Sequence, residues 1–306
     1  MRLASLLMYD GNPRKAADDV VALERAGLDS VWVAEAYGFD APTLMGYLAA
    51  RTETVQIGSG ILNIYSRTPG ALLQTAAGLD NVSQGRAILG LGVSGPQVIE
   101  GFHGVPYDKP LGRTREIIDI CRQVWKRERV VHDGSSYQIP LPEGQGTGLG
   151  KPLKLINHPV RADIPIYWAS LMGLSVKETA KLADGWLPVF FDPERFHSVW
   201  GDEIKAGLAE RDPALGPLAI SAGGMVAIGD EYAGDGADQV LDLARPNVAL
   251  YVGGMGARDK NFYNTICQRY GYVDEAIEIQ DLYLSGEKAA AAAKVPREML
   301  VGTNLV

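Results

Sequence analysis

Two glycines inside one strand-like run are the first residues with a chemical consequence. Val55-Gln56-Ile57 begins as a strand and meets Gly58, Ser59 and Gly60 before Ile61-Leu62-Asn63. Glycine in a strand interior weakens it and marks a bulge, a bend or a close approach of main chain. A flat ligand lying against the backbone would need that clearance, and so would the tight packing of barrel strands. Glu35 is a carboxylate at the end of a second apolar run, Ser30–Ala34. Ser94 stands in Gly92-Val93-Ser94-Gly95, but a hydrolase elbow reads Gly-x-Ser-x-Gly and here the second glycine follows the serine directly. Gly90-Leu91-Gly92 lacks the rest of a dinucleotide fingerprint. The four histidines, His103, His132, His158 and His197, have no metal-ligand spacing with one another, which argues against a metal hydrolase. No strand carries an inward lysine for Schiff-base chemistry, which disfavours an aldolase-like lyase.

The elements that must position these residues alternate. Leu3–Tyr9 reads as a buried strand, Arg14–Ala26 as a helix ending at Gly27, Ser30–Ala34 as the second strand and Pro42–Ala50 as a helix. Val55–Leu62 is strand three, Pro69–Val82 a helix, Ala87–Val93 strand four and Leu111–Lys126 a long amphipathic helix. Between Arg127 and Asp163 the rhythm breaks into glycines, prolines and short apolar pairs, an insertion of about residues 127–163 read as a hairpin plus a loop. Ile164–Ala169 is strand five, Ser175–Ala183 a helix and Gly185–Phe191 strand six. A helix over Pro193–Glu210 is opened by Asp192 as N-cap, Leu218–Ile228 is strand seven, and Ala237–Ala244 is helical. Nearly continuous apolar strands separated by helices predict an α/β fold with a parallel sheet, and the count favours a (β/α)₈ barrel over an open doubly wound sheet. Strand eight is ambiguous: either Asn247–Gly253 forms it, or that run continues a helical subdomain and strand eight lies at Met299–Val306; helices at Asn261–Arg269 and Glu275–Leu284 make a helical C-terminal segment over about 255–300.

The whole of 1–306 reads as a single barrel domain. Its 46% hydrophobic and 22% charged content is that of an ordinary globular protein. The net charge of −8 argues against nucleic acid as a partner. Cys121 and Cys267 are too few for a disulfide framework, so a reducing cytoplasm is expected. Met1 leads into a strand-like LASLLMY without a basic, long apolar leader, and no run approaches 18 apolar residues, so neither a signal peptide nor a membrane span is expected.

Strand ends place the chemistry at one rim, as parallel barrels do. Tyr9-Asp10-Gly11, Glu35-Ala36-Tyr37, Gly60–Asn63, Gly92–Gly95, Ser170–Gly173 and Phe190–Asp192 supply glycine and serine backbone donors and one carboxylate, Glu35. Leu171-Met172-Gly173-Leu174 leads into the Ser175 helix, either as a phosphate seat or as a helix capped by Ser175.

The runs IGSGILNIYSRTP, RAILGLGVSGPQVIEGFHGVPYDKPLGRTREII, IPIYWASLMG, ADGWLP and ARPNVALYVGGMGARDKNFYN occur in the order of one family. They resemble the luciferase-like monooxygenase superfamily, most of all its branch dependent on the deazaflavin coenzyme F420, which includes methylenetetrahydromethanopterin reductase. The resemblance spans Leu3 to about Leu284 and implies a (β/α)₈ barrel with insertions, a homodimer, and hydride exchange between the coenzyme and a small-molecule substrate. It also implies a non-prolyl cis peptide at Gly60–Ile61, or else at Ser59–Gly60, against one face of the ring. Gly60, Ile61, Asn63, Gly92, Val93 and Ser94 would then meet the ring or ribityl chain, and Ala169, Ser170, Leu171, Met172 and Gly173 would hold the phosphate. Glu35 would act as acid/base, or else as a carboxylate paired with an arginine in the pocket wall. Asn63 would touch the ring or a substrate carbonyl, or else cap the turn before Pro69. Gln97, Glu100 and His103 could face substrate, His103 alternatively as a packed supporting residue, and Arg67 and Lys154 are candidates for the anionic tail. Ala36 stands where the sugar-phosphate dehydrogenase members carry histidine, which weakens that substrate class. Two alternatives share the fold: an FMN-dependent monooxygenase, and a non-catalytic flavin-binding barrel.

Overall fold

The computed structural model describes residues 1–7 and 11–306. Its elements run β1 (Ala4–Leu7), α1 (Pro13–Arg25), β2 (Ser30–Val33), α2 (Ala41–Arg51), β3 (Gln56–Ser59), β4 (Leu62–Asn63), α3 (Pro69–Val82) and β5 (Ala87–Gly92). There follow α4 (Pro96–Gly101), α5 (Pro110–Trp125), β6 (His132–Asp133), β7 (Gln138–Ile139), β8 (Ile166–Ala169), α6 (Leu174–Leu182), β9 (Gly185–Trp186) and α7 (His197–Ala209). The chain ends with β10 (Ala219–Ile220), α8 (Asp235–Ala249), α9 (Phe262–Arg269), α10 (Val273–Leu284), α11 (Lys288–Ala293) and α12 (Arg297–Thr303). The end of the first expected strand, Tyr9-Asp10, lies outside the described residues. Contacts divide the chain into two units: Met1–Ala169 with Leu182–Leu187 and Asp212–Ala219, and Ser170–Lys181 with Pro188–Arg211 and Ile220–Val306.

The first unit holds a curled sheet of order β1-β2-β3-β5-β8-β9-β10, with β4 also pairing β5. The pairs β1–β2, β2–β3, β3–β5, β4–β5, β5–β8 and β8–β9 are parallel. This is the expected (β/α)₈-type sheet, incomplete as a barrel. Val31, Val33, Ile57, Leu89, Leu91, Ile166 and Trp168 point to the face where Leu48, Leu72, Ile117, Cys121 and Trp125 of the helices bury. Alternation turns Trp32, Ile88 and Tyr167 to the other face, where Leu187 and Ala219 join them. That face is filled by a large-against-small rule. Trp32 lies opposite Gly58, and Tyr167 lies between Gly90 and Gly185. A Cβ on Gly58 would fall 2.4 Å from the Trp32 ring, and one on Gly185 2.2 Å from the Tyr167 ring.

Strand three breaks between Ser59 and Leu62. Gly58 pairs with Ile88 and Leu62 with Leu91, so four steps on one strand meet three on the other, the count of a β-bulge. Ser59, wholly buried, restores what the bulge removes: its hydroxyl donates to the Gly90 carbonyl at 2.8 Å and accepts from the Gly90 N–H at 2.9 Å. Gly90 must lack a Cβ there, because one would sit 1.7 Å from the Ser59 carbonyl oxygen.

The insertion contains an antiparallel hairpin of β6 and β7, followed by a long loop. Glu116 of α5 anchors it, accepting from the N–H groups of Ser136 and Tyr137, from Ser135 Oγ, and standing 3.2 Å from His132 Nε2. Burial alone would raise the Glu116 carboxyl, but the Tyr137 N–H and the other donors reverse this and hold it below 4.5.

In the second unit the Asp192 carboxylate accepts from the N–H groups of Glu194 and Arg195, so it caps the turn ahead of α7, which starts later than expected at His197. Of the two readings of Asn247–Gly253 the helical one holds: α8 runs through Ala249 into a π-helical turn over Leu250–Gly254, and the other candidate for strand eight, Met299–Val306, lies largely in α12. Gly253 and Gly254 let that turn press on α10, where an added Cβ would meet Tyr283 at 2.5 and 2.4 Å. Its carbonyls are satisfied by side-chain amides, Asn261 Nδ2 donating to Tyr251 and Val252 and Asn264 Nδ2 to Val252. Leu218–Ile228 is strand only at Ala219–Ile220, and the tail contributes a single parallel bridge, Leu305 to Val226. Strand six stops at Trp186, and Phe190 takes a φ of 54°, outside the β region. No described helix is long and apolar enough to cross a membrane.

Ser59→Ala leaves two buried polar groups of Gly90 without the hydroxyl, at about 1–3 kcal/mol each. Urea unfolding should show a loss of about 3 kcal/mol, and a loss below about 1 would contradict the bridge. For the hairpin, a carboxyl held low in the folded state stabilises above its unfolded value and loses that contribution as pH falls through the folded one. Amide exchange at Tyr137, corrected for intrinsic rate, should therefore accelerate as the medium is acidified from about pH 4.5, the ordinary value for glutamate. In Glu116→Gln it should be fast at every pH.

Candidate functional site

The carboxyl ends of β2, β4 and β5 in the first unit carry a continuous polar chain. It begins at the first turn of α2, where Ala41 donates its N–H to Glu35 Oε2 at 2.8 Å. Arg67 grips the same carboxylate with both terminal nitrogens, Nη1 to Oε1 at 2.6 Å and Nη2 to Oε2 at 2.8 Å. The Glu35 side chain is 6% exposed and that of Arg67 18%, so the fork is largely out of water. Arg67 Nη1 also donates to Ser66 Oγ at 3.1 Å, and Ser66 Oγ donates to the Asn63 carbonyl at 3.3 Å. Asn63, 4% exposed, closes the turn after β4: its Oδ1 accepts from the N–H groups of Tyr65 at 3.1 Å and Ser66 at 2.7 Å. Its Nδ2 lies 3.3 Å from His103 Nε2.

Both uses foreseen for Glu35 and Asn63 can be compared with this geometry. Glu35 is the arginine-paired carboxylate, both oxygens already accepting. Asn63 is the turn-closing amide, with its nitrogen end turned toward His103. Arg67 is thereby committed to Glu35 and not left for an anionic tail. Lys154 is exposed on the loop beyond the hairpin. Glu100 accepts from the Tyr107 N–H at 3.2 Å, which ties it to its own loop, and Gln97 is exposed.

Beside this chain the bulge makes a floor. A non-prolyl cis peptide joins Gly60 to Ile61, at the bond the resemblance implied. Gly60 donates its N–H to Val33 at 2.7 Å, and a Cβ on Gly60 would come 3.2 Å from that of Trp32. Ile61 lies across Gly92, whose added Cβ would fall 2.8 Å from two Ile61 side-chain carbons. Gly92 pairs with Asn63 on one side and Ala169 on the other, so small residues continue across three strands. Val93 packs partly into the core, and Ser94 has a φ of 55° in the turn that launches α4. Beneath the floor, Trp32 packs against Tyr167 with ring centroids 5.1 Å apart, and its buried indole N–H has no partner among the described residues. The loop carrying Asn63 is braced from outside: the Arg113 guanidinium lies over both the Tyr65 and Tyr137 rings, at 5.5 and 5.4 Å, and bonds to Asp108.

In the second unit, Ser170–Gly173 leads into α6. Ser170 Oγ bonds to Thr179 Oγ1 at 2.7 Å, and the Leu171 carbonyl accepts from Trp200 Nε1 at 2.7 Å. The Met172 carbonyl accepts from Ser175 Oγ at 2.7 Å, so Ser175 does not act as the expected N-cap, and the helix opens on Gly173 with φ +54°. The N–H groups of Leu171, Met172 and Gly173 have no acceptor among the described residues, which suits an anion at a helix start. No group of three or more potential metal ligands occurs among the described residues.

Sequence reasoning missed the reciprocal Ser59–Gly90 bonds, the Arg113 brace and the identity of the arginine that pairs with Glu35, Arg67, 32 positions away. Only the adjacency of β2 to the bulged strand could have suggested that last pair. Glu35→Gln should leave the Arg67 charge uncompensated and lower stability by about 3 kcal/mol in chemical denaturation, with partial recovery in Glu35→Gln/Arg67→Met. Equal losses in single and double variants would contradict a direct interaction.

The model for the luciferase-like monooxygenase family matches residues 1–306. A Mycobacterium tuberculosis protein provisionally named a coenzyme F420-dependent oxidoreductase is 42% identical over 98% of this chain and 86% of its own length. A 5,10-methylenetetrahydromethanopterin reductase of Archaeoglobus fulgidus is 27% identical over 90% of this chain and 77% of its own. Among solved structures, the coenzyme F420-dependent tetrahydromethanopterin reductase of Methanopyrus kandleri superposes with a TM-score of 0.80 at 20% identity, covering 99% of this chain and 85% of that one, a likeness of fold. The geometry of the bulged third strand and the match over all 306 residues lead to one family assignment: the chain belongs to the luciferase-like monooxygenases.

Proposed function

We propose that this protein is a coenzyme F420-dependent oxidoreductase that passes a hydride between the deazaflavin and a small organic substrate. One observation carries the reading: a side-chain-poor floor of Gly60, Ile61, Gly92 and Ala169 ends in a buried amide, Asn63. A planar ring needs such a floor, and a second substituent on any of these strands would remove it. The name of the M. tuberculosis relative supports the choice of coenzyme.

The coenzyme would supply the two-electron chemistry at its ring C5; the residues do the rest. Gly60 and Ile61 would back the ring on one face, with Gly92, Val93 and Ser94 bordering it. In the second unit, taken by itself, the N–H groups of Leu171, Met172 and Gly173 would suit a phosphate. Asn63 Nδ2 offers a donor to ring or substrate oxygen. Glu35 fixes Arg67 and, through Ser66, the turn that aims Asn63; serving as a base itself would require it to release three donors. The neutral, glycine-rich rim suits an alcohol, ketone, imine or activated alkene better than a sugar phosphate.

Titration of the purified protein with oxidised F420 and with FMN, followed by coenzyme fluorescence, should give at least tenfold tighter binding of the deazaflavin. Micromolar FMN binding without F420 binding would overturn this reading, and oxygen uptake with reduced FMN would then identify a monooxygenase.

A further inference from the structure

The orientation of Asn63 can be deduced, and it fixes a histidine. Backbone N–H groups only donate, so the Asn63 atom facing Tyr65 and Ser66 must be its oxygen. The atom 3.3 Å from His103 Nε2 is therefore the amide nitrogen, which also only donates. In this contact His103 Nε2 is the acceptor, which places the ring proton on Nδ1. The Phe102 ring stands edge-on to the imidazole, centroids 5.2 Å apart at 83°, and Tyr37 packs 6.5 Å beyond Phe102. Asn63 Nδ2 bears a second N–H with no acceptor among the described residues. Two nitrogens 3.3 Å apart, one donating and one accepting, leave one position within hydrogen-bond reach of both. A hydroxyl oxygen there would accept from Asn63 and donate to His103.

We infer that Asn63 and His103 form the seat of the reacting oxygen, with His103 as the catalytic residue that moves the substrate proton. The inference rests on the oxidoreductase reading above and deepens it, naming a secondary alcohol or its ketone as the substrate class. In oxidation, the carbinol C–H hydrogen leaves with its electron pair to the oxidised deazaflavin. The O–H bond breaks, its proton passes to His103 Nε2 and from that half-exposed ring to water, and C=O forms. Reduction of the ketone reverses each transfer, with Asn63 donating to the oxygen throughout. Glu35 is excluded from this role by its three donors, whereas Nε2 holds only one long bond that a hydroxyl can replace.

The test begins without coenzyme. Long-range proton–nitrogen correlation spectra of the free, full-length protein at pH 8 should show His103 as the Nδ1–H tautomer. Asn63→Asp presents an acceptor instead and should convert it to the Nε2–H form. Cyclohexanol should move the Nε2 resonance in the wild type and leave it unmoved in Asn63→Ala. An Nε2–H tautomer in the wild type, or no response to saturating cyclohexanol, would overturn the seat. With F420 bound, His103→Gln should lower kcat at least about 100-fold for a secondary alcohol that the wild type oxidises, with coenzyme affinity within twofold; retention of a third of the rate would overturn it. Should F420 fail to bind while tautomer and cyclohexanol response are as expected, the deazaflavin reading falls and the oxygen seat stands.

Discussion

One hydroxyl holds the middle of the sheet together. A bulge breaks the ladder between the third strand and β5, and an unsatisfied carbonyl and N–H at Gly90 would follow inside the fold. Ser59 supplies both partners from a single oxygen, and only glycine at position 90 lets the two strands approach closely enough. The rim inherits its shape from that repair: because Ser59 is pinned, Gly60 and Ile61 are carried outward across Gly92, and Leu62–Asn63 re-enter the ladder one residue out of step.

A second constraint follows from where Asn63 lands. Its amide is the junction between a buried ion pair on one side and an imidazole on the other. Neither neighbour can be reoriented alone, since Ser66 links Asn63 to Arg67 and Arg67 is shared with Glu35. The ion pair at one end and the imidazole at the other are thus joined through the four-residue turn Asn63–Ser66. A buried chain of this kind grows more rigid as more of its members are satisfied.

Much of this was legible in the chain. The first five strand positions, the insertion hairpin and the site of the bulge follow from apolar periodicity and from two glycines in the third strand. The C-terminal quarter was not. Asn247–Gly253 offers valine, leucine and tyrosine at strand-like density, yet the preceding helix simply continues through it, and the amides that stabilise the turn come from Asn261 and Asn264. No local pattern announces a partner ten residues away. Which arginine meets Glu35 is hidden for the same reason: nothing local singles out Arg67 until β2 and the bulged strand lie side by side.

Arg113 has a consequence of a different kind. The guanidinium between the Tyr65 and Tyr137 rings couples the insertion to the Asn63 turn by stacked side chains. The stretch 142–150 beyond β7 takes no part in that stack. A grafted peptide or fluorescent module could be spliced there, away from the stack, while a change at Tyr137 would be felt at once beside Asn63. The excursion thus offers protein engineers both a tolerant splice point and a tuning screw, separated by a handful of residues.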